Sequence, residues 1–199
     1  MKLATRTQFD LLIDEYYKFR ETAGFVGHFK VTADMQEFAN REATARWEAN
    51  KDLKSFANGP APRASDFAGA LSETIYASLT AGSGNVKALH TDAGVVDSTL
   101  KNGWHLDIKS RIGTNLYFNY NKRTKDKLDA LGQSPELFFV CLFDKVKESD
   151  VQSAFDLKSC YIYIVPATYI AAADLLNADN PTRAYFKYTF DTKTGPLEM

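Results

Sequence analysis

The sequence predicts an α/β (α+β) fold in which a central mixed β-sheet is flanked by helices. Helical periodicity dominates the first 80 residues, and short runs of β-type composition dominate the remainder. One of these runs, LFFVCLF at 137–143, is apolar on both faces, as expected of a strand covered on both sides in a mixed sheet. At 199 residues with 45% hydrophobic content, the chain suits a single domain. We expect a helical arm at 1–60 and a core at 61–199.

Three helices are predicted in the first part of the chain. The first, at about 5–22, has apolar residues at spacings of three and four, and the second, at about 33–56, carries many charges. The segment NGPAP at 58–62 cannot continue a helix and ends the arm. The third helix begins near Ser65, an expected N-cap, and ends at Thr80. Its predicted buried edge consists of Phe67, Leu71, Ile75 and Leu79.

The second part of the chain alternates between strand and helix patterns. Helices are predicted at about 122–131 and 168–177, with a weaker pattern near 149–155. The predicted strands are GVVDS, WHLDIKS, NLYFNYN, LFFVCLF, CYIYIVP and AYFKYTF.

Charge and composition exclude several classes of function. The net charge of −1 supplies no global field for a polyanion, so nucleic-acid binding would need a local basic patch. No apolar run is long enough to cross a membrane, and the N-terminus does not resemble a secretion signal. We therefore expect a cytoplasmic protein without a membrane partner. Cys141 and Cys160 lack metal-site or redox spacing and are expected to be buried and reduced.

The predicted hairpin between GVVDS and WHLDIKS concentrates charged residues on one face. His105, Asp107 and Lys109 alternate with Leu106 and Ile108, so the polar three share the face opposite the apolar pair. A three-residue loop ending in Gly103 would place Asp97 directly opposite Asp107. Two carboxylates this close repel each other unless a cation lies between them.

Two carboxylates beside a strand backbone suit Mg²⁺, which prefers oxygen ligands and retains several waters. A neighbouring lysine could orient an attacking water or offset the charge of a phosphoryl transition state. Asp92 is an alternative to Asp97, in a different register. The other interpretation is a solvated Asp-Lys pair on an exposed sheet face.

Asp97, nine intervening residues and then Asp107-Ile108-Lys109 resemble the PD-(D/E)xK nuclease motif, although no proline precedes either aspartate. The resemblance covers about residues 65–165: a helix, the hairpin, a further strand, a helix and a buried strand. It implies a restriction-endonuclease-like core, with Asp97 and Asp107 as Mg²⁺ ligands and Lys109 as a further catalytic residue. It also implies a further acid from the preceding helix, for which Glu73 is the candidate, with solvent exposure as the alternative.

The resemblance to Type II restriction endonucleases implies sequence-specific cleavage of double-stranded DNA. A local basic patch and nearby amides are the candidate DNA contacts, with an ordinary solvated helix start as the alternative. These residues are Arg111, Asn115, Asn119, Lys122, Arg123 and Lys125.

Palindromic DNA calls for two symmetric active sites, so a homodimer is expected. The aromatic residues of the arm, among them Phe25 and Phe29, are the candidate dimer contact. Two other functions stay open: a structure-specific repair or junction nuclease, and a non-catalytic binding protein.

Overall fold

A computed structural model of the protein describes residues 24–50, 61–80, 86–89, 96–100, 103–113, 117–143, 146–168, 174–180 and 184–189. The predicted helix at about 5–22, the alternative carboxylate Asp92 and the candidate DNA contact Asn115 lie outside these residues.

The described residues form three α-helices and nine strands. The helices are α1 (Ala33–Asn50), α2 (Ala64–Thr80) and α3 (Lys122–Ala130). The strands are β1 (Gly24–Lys30), β2 (Val86–Leu89), β3 (Ser98–Leu100), β4 (His105–Ile112), β5 (Tyr117–Asn121), β6 (Leu137–Phe143), β7 (Ser159–Pro166), β8 (Asp174–Leu176) and β9 (Tyr185–Thr189).

Six of these strands form a mixed sheet in the order β1-β7-β6-β4-β3-β2. β4 and β6 are parallel, and the other neighbouring pairs are antiparallel. A parallel pair needs a crossover connection, which here passes through β5 and α3. The predicted mixed α/β fold is confirmed.

Helices α1 and α2 cover one face of this sheet. The predicted buried edge of α2 is confirmed, because Phe67, Leu71, Ile75 and Leu79 all lie in the larger apolar core. The predicted N-cap is wrong. The helix begins at Ala64, so Ser65 lies in its first turn, and the Asp66 carboxylate accepts a hydrogen bond from the backbone N–H of Arg63 at 2.8 Å.

The other face of the main sheet is covered by a second sheet, in the order β5-β9-β8. Between the two sheets lies a smaller apolar cluster of Tyr120, Phe138, Val140, Leu142 and Val165. This arrangement differs from the prediction at 168–177, where residues 174–176 form strand β8 and not the end of a helix. Pairing with β9 overrides the local helical pattern there.

Strand β6 separates the two apolar cores, and all seven of its residues are buried. The prediction of a strand covered on both faces is therefore confirmed. Full burial of a large apolar side chain contributes roughly 1.5–3 kcal/mol to the free energy of unfolding. Because β6 has buried side chains in both apolar clusters, it stabilises the packing on both faces of the sheet. Cys141 and Cys160 are buried free cysteines in this region, as predicted.

The segment expected to form a helical arm contains a strand. Helix α1 occupies part of the predicted second helix, but residues 24–30 form β1, an edge strand paired with β7. The pairing shifts register between Phe25 and Gly27. Phe29, a candidate dimer contact, is half-buried and packs against the protein's own core.

No helix among the described residues is long and apolar enough to span a membrane.

Candidate active site

The β3–β4 hairpin has the predicted register. Ser98 pairs with Leu106 and Thr99 with His105, and the next position in this register sets Asp97, directly before β3, opposite Asp107. The turn closes where Gly103 adopts φ +90°, a conformation that glycine reaches without strain. The backbone N–H of Gly103 donates to the carbonyl of Leu100 at 2.9 Å.

The carboxyl group of Asp107 lies close enough to that of Asp97 to affect its pKa. The backbone N–H of Ile108 donates to Oδ2 of Asp97 at 2.5 Å. Burial, the adjacent carboxyl group of Asp107 and its negative charge raise the pKa of Asp97 to about 8, against the opposing effects of Lys109 and the Ile108 N–H. Without a bound cation, Asp97 therefore retains its proton near neutral pH.

Asp107 is only 5% exposed. Its Oδ2 lies 2.5 Å from Nζ of Lys109 as an ion pair, but it accepts no hydrogen bond of acceptable angle from the described residues. A buried anionic oxygen without a hydrogen bond is costly unless a positive charge compensates it. Lys109 supplies part of that charge.

Lys109 lies between the main sheet and β5. Its side chain is 23% exposed, and Nζ lies 5.4 Å from the ring centroid of Tyr120. Asp107 and Lys109 pair with Phe138 and Val140 of β6, so both belong to the face that the second sheet covers. The site is therefore an acidic and basic cluster at the border of the smaller apolar core.

The structure places Glu73 in a different environment from the one expected. Both carboxylate oxygens accept hydrogen bonds from the guanidinium of Arg46 in α1, at 2.8 and 2.5 Å. The hydrogen bond with Glu73 is the largest cause of the raised pKa of Arg46, and the charge of Asp97 contributes as well. Glu73 is thus engaged in an α1–α2 ion pair that lies within electrostatic reach of the acid pair.

The predicted DNA contacts do not form a uniformly positive patch, because two of the lysines are paired with aspartates. Lys122 and Lys125 each form an ion pair at 2.5 Å, with Asp126 and Asp129 one helical turn further along α3. Arg123 is exposed at the start of α3, and no ion pair of this residue exists among the described residues. The clearest free positive charge of the patch is therefore Arg123.

The remaining candidate contacts lie on strands. Arg111 is half-buried in β4, two residues beyond Lys109 and on the same side of the strand. Asn119 belongs to β5 and pairs with Lys187. The neighbouring Asn121 is the N-cap of α3, and its side chain accepts hydrogen bonds from the backbone N–H groups of Arg123 and Thr124.

Two residues of the site were missed by the sequence analysis. In the sequence, Tyr120 lies among alternating aromatic residues, as is common in strands. Nothing in this pattern indicates that β5 pairs outside the main sheet and passes over Lys109. Arg46 is one of many charged residues in α1, and its contact with Glu73 spans 27 residues. Both contacts depend on tertiary packing, which periodicity does not encode.

The donor set fits a hard divalent cation. Within the described ranges, no group of three or more His, Cys, Asp and Glu side chains converges, so an ion here would rest on the two aspartates and on water. Mg²⁺ is commonly held by one or two carboxylates while retaining several waters. A cation bound here would replace the proton of Asp97 and add positive charge beside the buried Oδ2 of Asp107.

The sequence matches no protein-family model, and no curated protein is significantly similar to it.

Proposed function

We propose that this protein is a Mg²⁺-dependent nuclease of the PD-(D/E)xK type that cleaves double-stranded DNA at a specific sequence, as Type II restriction endonucleases do. The observation that carries the proposal is the arrangement of three side chains: Asp97 lies opposite Asp107 and within reach of its charge, and Asp107 is paired with Lys109 at 2.5 Å. A solvated ion pair on an exposed face would not explain an Asp107 that is nine-tenths buried beside a second carboxyl group, that of Asp97.

The order of elements around these residues supports the same proposal. Helix α2 precedes the β3–β4 hairpin, and β5, α3 and the buried strand β6 follow it. This is the order that the resemblance to the nuclease core implies. Because β6 lies beside β4 in parallel, it supports the strand that carries Asp107 and Lys109.

The chemistry assigned to each residue follows from its charge and place. Asp97 and Asp107 would hold the ion, which when bound supplies Lewis-acid stabilisation and a more acidic water. Lys109, fixed beside Asp107, adds positive charge where the phosphoryl group becomes more negative and orients the attacking water. In hydrolysis, the water oxygen bonds to phosphorus, one P–O ester bond breaks, and the leaving oxygen takes up a proton.

The proposed substrate contacts are Arg111, which follows Lys109 on β4, and Arg123 at the start of α3. Lys122 and Lys125 would reach phosphates only by exchanging their aspartate partners for DNA. The proposal includes a homodimer, because a palindromic duplex presents two symmetric scissile bonds.

The test is incubation of the protein with supercoiled plasmid and with phage-sized linear DNA, with Mg²⁺ or with EDTA. We expect cleavage with Mg²⁺ only, and its loss by at least about 100-fold in Asp107→Asn and in Lys109→Met, since each removes charge from the reacting centre. Asp150→Asn is the matched control, because Asp150 is an exposed aspartate in a short 3₁₀ turn.

The products separate the competing functions. Discrete bands indicate sequence specificity, whereas cleavage confined to branched or damaged DNA indicates a repair or junction nuclease. Folded Asp107→Asn and Lys109→Met variants that cleave as well as the wild type overturn the assignment of this site. No Mg²⁺-dependent cleavage of any of these substrates by the wild type overturns the nuclease.

A further inference from the structure

Tyr120 is the residue of the second sheet that meets the candidate active site. It is 2% exposed, and its ring lies beneath the ammonium group of Lys109, with Nζ 5.4 Å from the ring centroid. The same ammonium forms an ion pair with Oδ2 of Asp107 at 2.5 Å. Lys109 therefore contacts both an anion on its own strand and an aromatic ring on β5.

The Tyr120 ring is itself fixed in place. It packs edge-on against Phe138 of β6, with ring centroids 4.9 Å apart and planes at 69°. It also pairs across β5 and β9 with Phe186. A ring braced on two strands offers a defined surface to a cation, and the attraction between an ammonium and the ring face favours one position of the flexible lysine chain.

Tyr120 stays an uncharged phenol in this environment. Burial is the largest cause of its raised pKa, followed by the negative charges of Asp107, Asp129 and Asp97. The ring thus contributes its quadrupole without adding a negative charge that would compete with Asp107 for Lys109.

We infer that Tyr120 is a positioning residue for Lys109: its ring fixes the ammonium group beside Asp107, at the point where the scissile phosphate would bind. This inference rests on the proposed function for the identity of the substrate, and on the contact geometry for the placement of Lys109. A lysine has four rotatable side-chain bonds, so without the ring its charge would spread over several positions and lose orientation.

The first experiment uses the wild-type protein without metal or DNA. We expect nuclear Overhauser contacts between the Hε protons of Lys109 and the ring protons of Tyr120, and an upfield ring-current shift of the same Hε protons. Absence of both from the wild-type spectrum overturns the inference, whether or not any variant folds. The Lys109 signals are assigned by their loss in Lys109→Arg.

The second experiment compares three variants. Tyr120→Phe keeps the ring and should preserve the Hε shift, whereas Tyr120→Leu should lose it. Phe186→Leu is the matched control, because it removes a neighbouring aromatic of the same cluster and should leave the Hε shift unchanged. A shift that persists in a folded Tyr120→Leu, or disappears equally in Phe186→Leu, contradicts a specific role for Tyr120.

The third experiment connects the placement with catalysis. We expect kcat for DNA cleavage to fall at least about tenfold in Tyr120→Leu with KM little changed, and Tyr120→Phe to restore it. Equal losses in Tyr120→Leu and Phe186→Leu would indicate general packing and overturn the positioning role. If the spectra are as expected and the wild type cleaves no DNA, the nuclease proposal fails while the placement of Lys109 by Tyr120 is supported.

Discussion

At the scale of single residues, the raised pKa of Asp97 is the property with the widest consequences. A carboxyl group with a raised pKa binds protons more tightly in the folded than in the unfolded protein. Between the unfolded value of about 3.9 and the folded value, folding therefore takes up protons. The stability contributed by this group is present at low pH and declines as the pH rises toward about 8, the raised pKa of Asp97.

Asp97→Asn should remove this decline. In urea unfolding without divalent ions, the wild type should lose stability between about pH 4 and pH 8, by at most about 1.4 kcal/mol per pH unit from this proton. Asparagine does not titrate, so the variant should show a flatter profile and gain relative to the wild type at pH 8.5. Parallel profiles of the two proteins would mean that Asp97 does not retain its proton in the folded state.

At the scale of secondary-structure elements, the Arg46–Glu73 pair links α1 to α2 next to the acid pair. Arg46 is 39% and Glu73 24% exposed, so solvent screens the interaction and its contribution stays near that of surface pairs. A double-mutant cycle of Arg46→Met and Glu73→Gln should give a coupling energy of up to about 1 kcal/mol. The measurement is the free energy of unfolding of the four proteins.

The same variants decide the role of Glu73. If Asp97 and Asp107 alone hold the ion, added Mg²⁺ should raise the melting temperature of Glu73→Gln as much as that of the wild type, and should not raise that of Asp107→Asn. An Mg²⁺ effect that vanishes in Glu73→Gln as well would make Glu73 a ligand that exchanges Arg46 for the ion.

The elements also indicate what could be predicted from sequence. Parity along WHLDIKS and the glycine turn sufficed to place Asp97 opposite Asp107, because hairpin register is a local property. The apolar run at 137–143 sufficed for β6. Strand β1 was missed because its pairing partner lies in β7, more than 100 residues away, and because Gly24 and Gly27 weaken its strand pattern.

The contacts of Tyr120 and Glu73 illustrate the same limit within the site. The resemblance made Glu73 the candidate further acid on the helix before the hairpin, but its partner, Arg46, comes from another helix. In the sequence, Tyr120 is one of several aromatic residues in its strand. Its contact with Lys109 arises because β5 pairs with β9 instead of joining the main sheet. Local patterns gave the catalytic candidates, and tertiary packing determined their partners.

At the scale of the whole molecule, a net charge of −1 provides no overall attraction for DNA. The proposed DNA binding would therefore depend on a few local cations. Affinity should therefore depend on individual residues and on salt, since each neutralised phosphate releases a counterion. Arg123, exposed at the N-terminus of α3, carries a charge that its own helix leaves unpaired. Lys125 must first give up Asp129, so it gains less from binding a phosphate.

This difference gives a prediction for equilibrium binding to a duplex in Ca²⁺, an ion used in place of Mg²⁺ to slow cleavage. Arg123→Ala should weaken binding and reduce the slope of log K against log salt by about 1, the value for one lost phosphate contact. Lys125→Ala should change the salt slope less, because Lys125 neutralises a phosphate only in the part of the bound population in which its pair with Asp129 is open. Equal effects of the two variants would mean that the ion pairs of α3 open fully on DNA, and no effect of either would place the DNA away from α3.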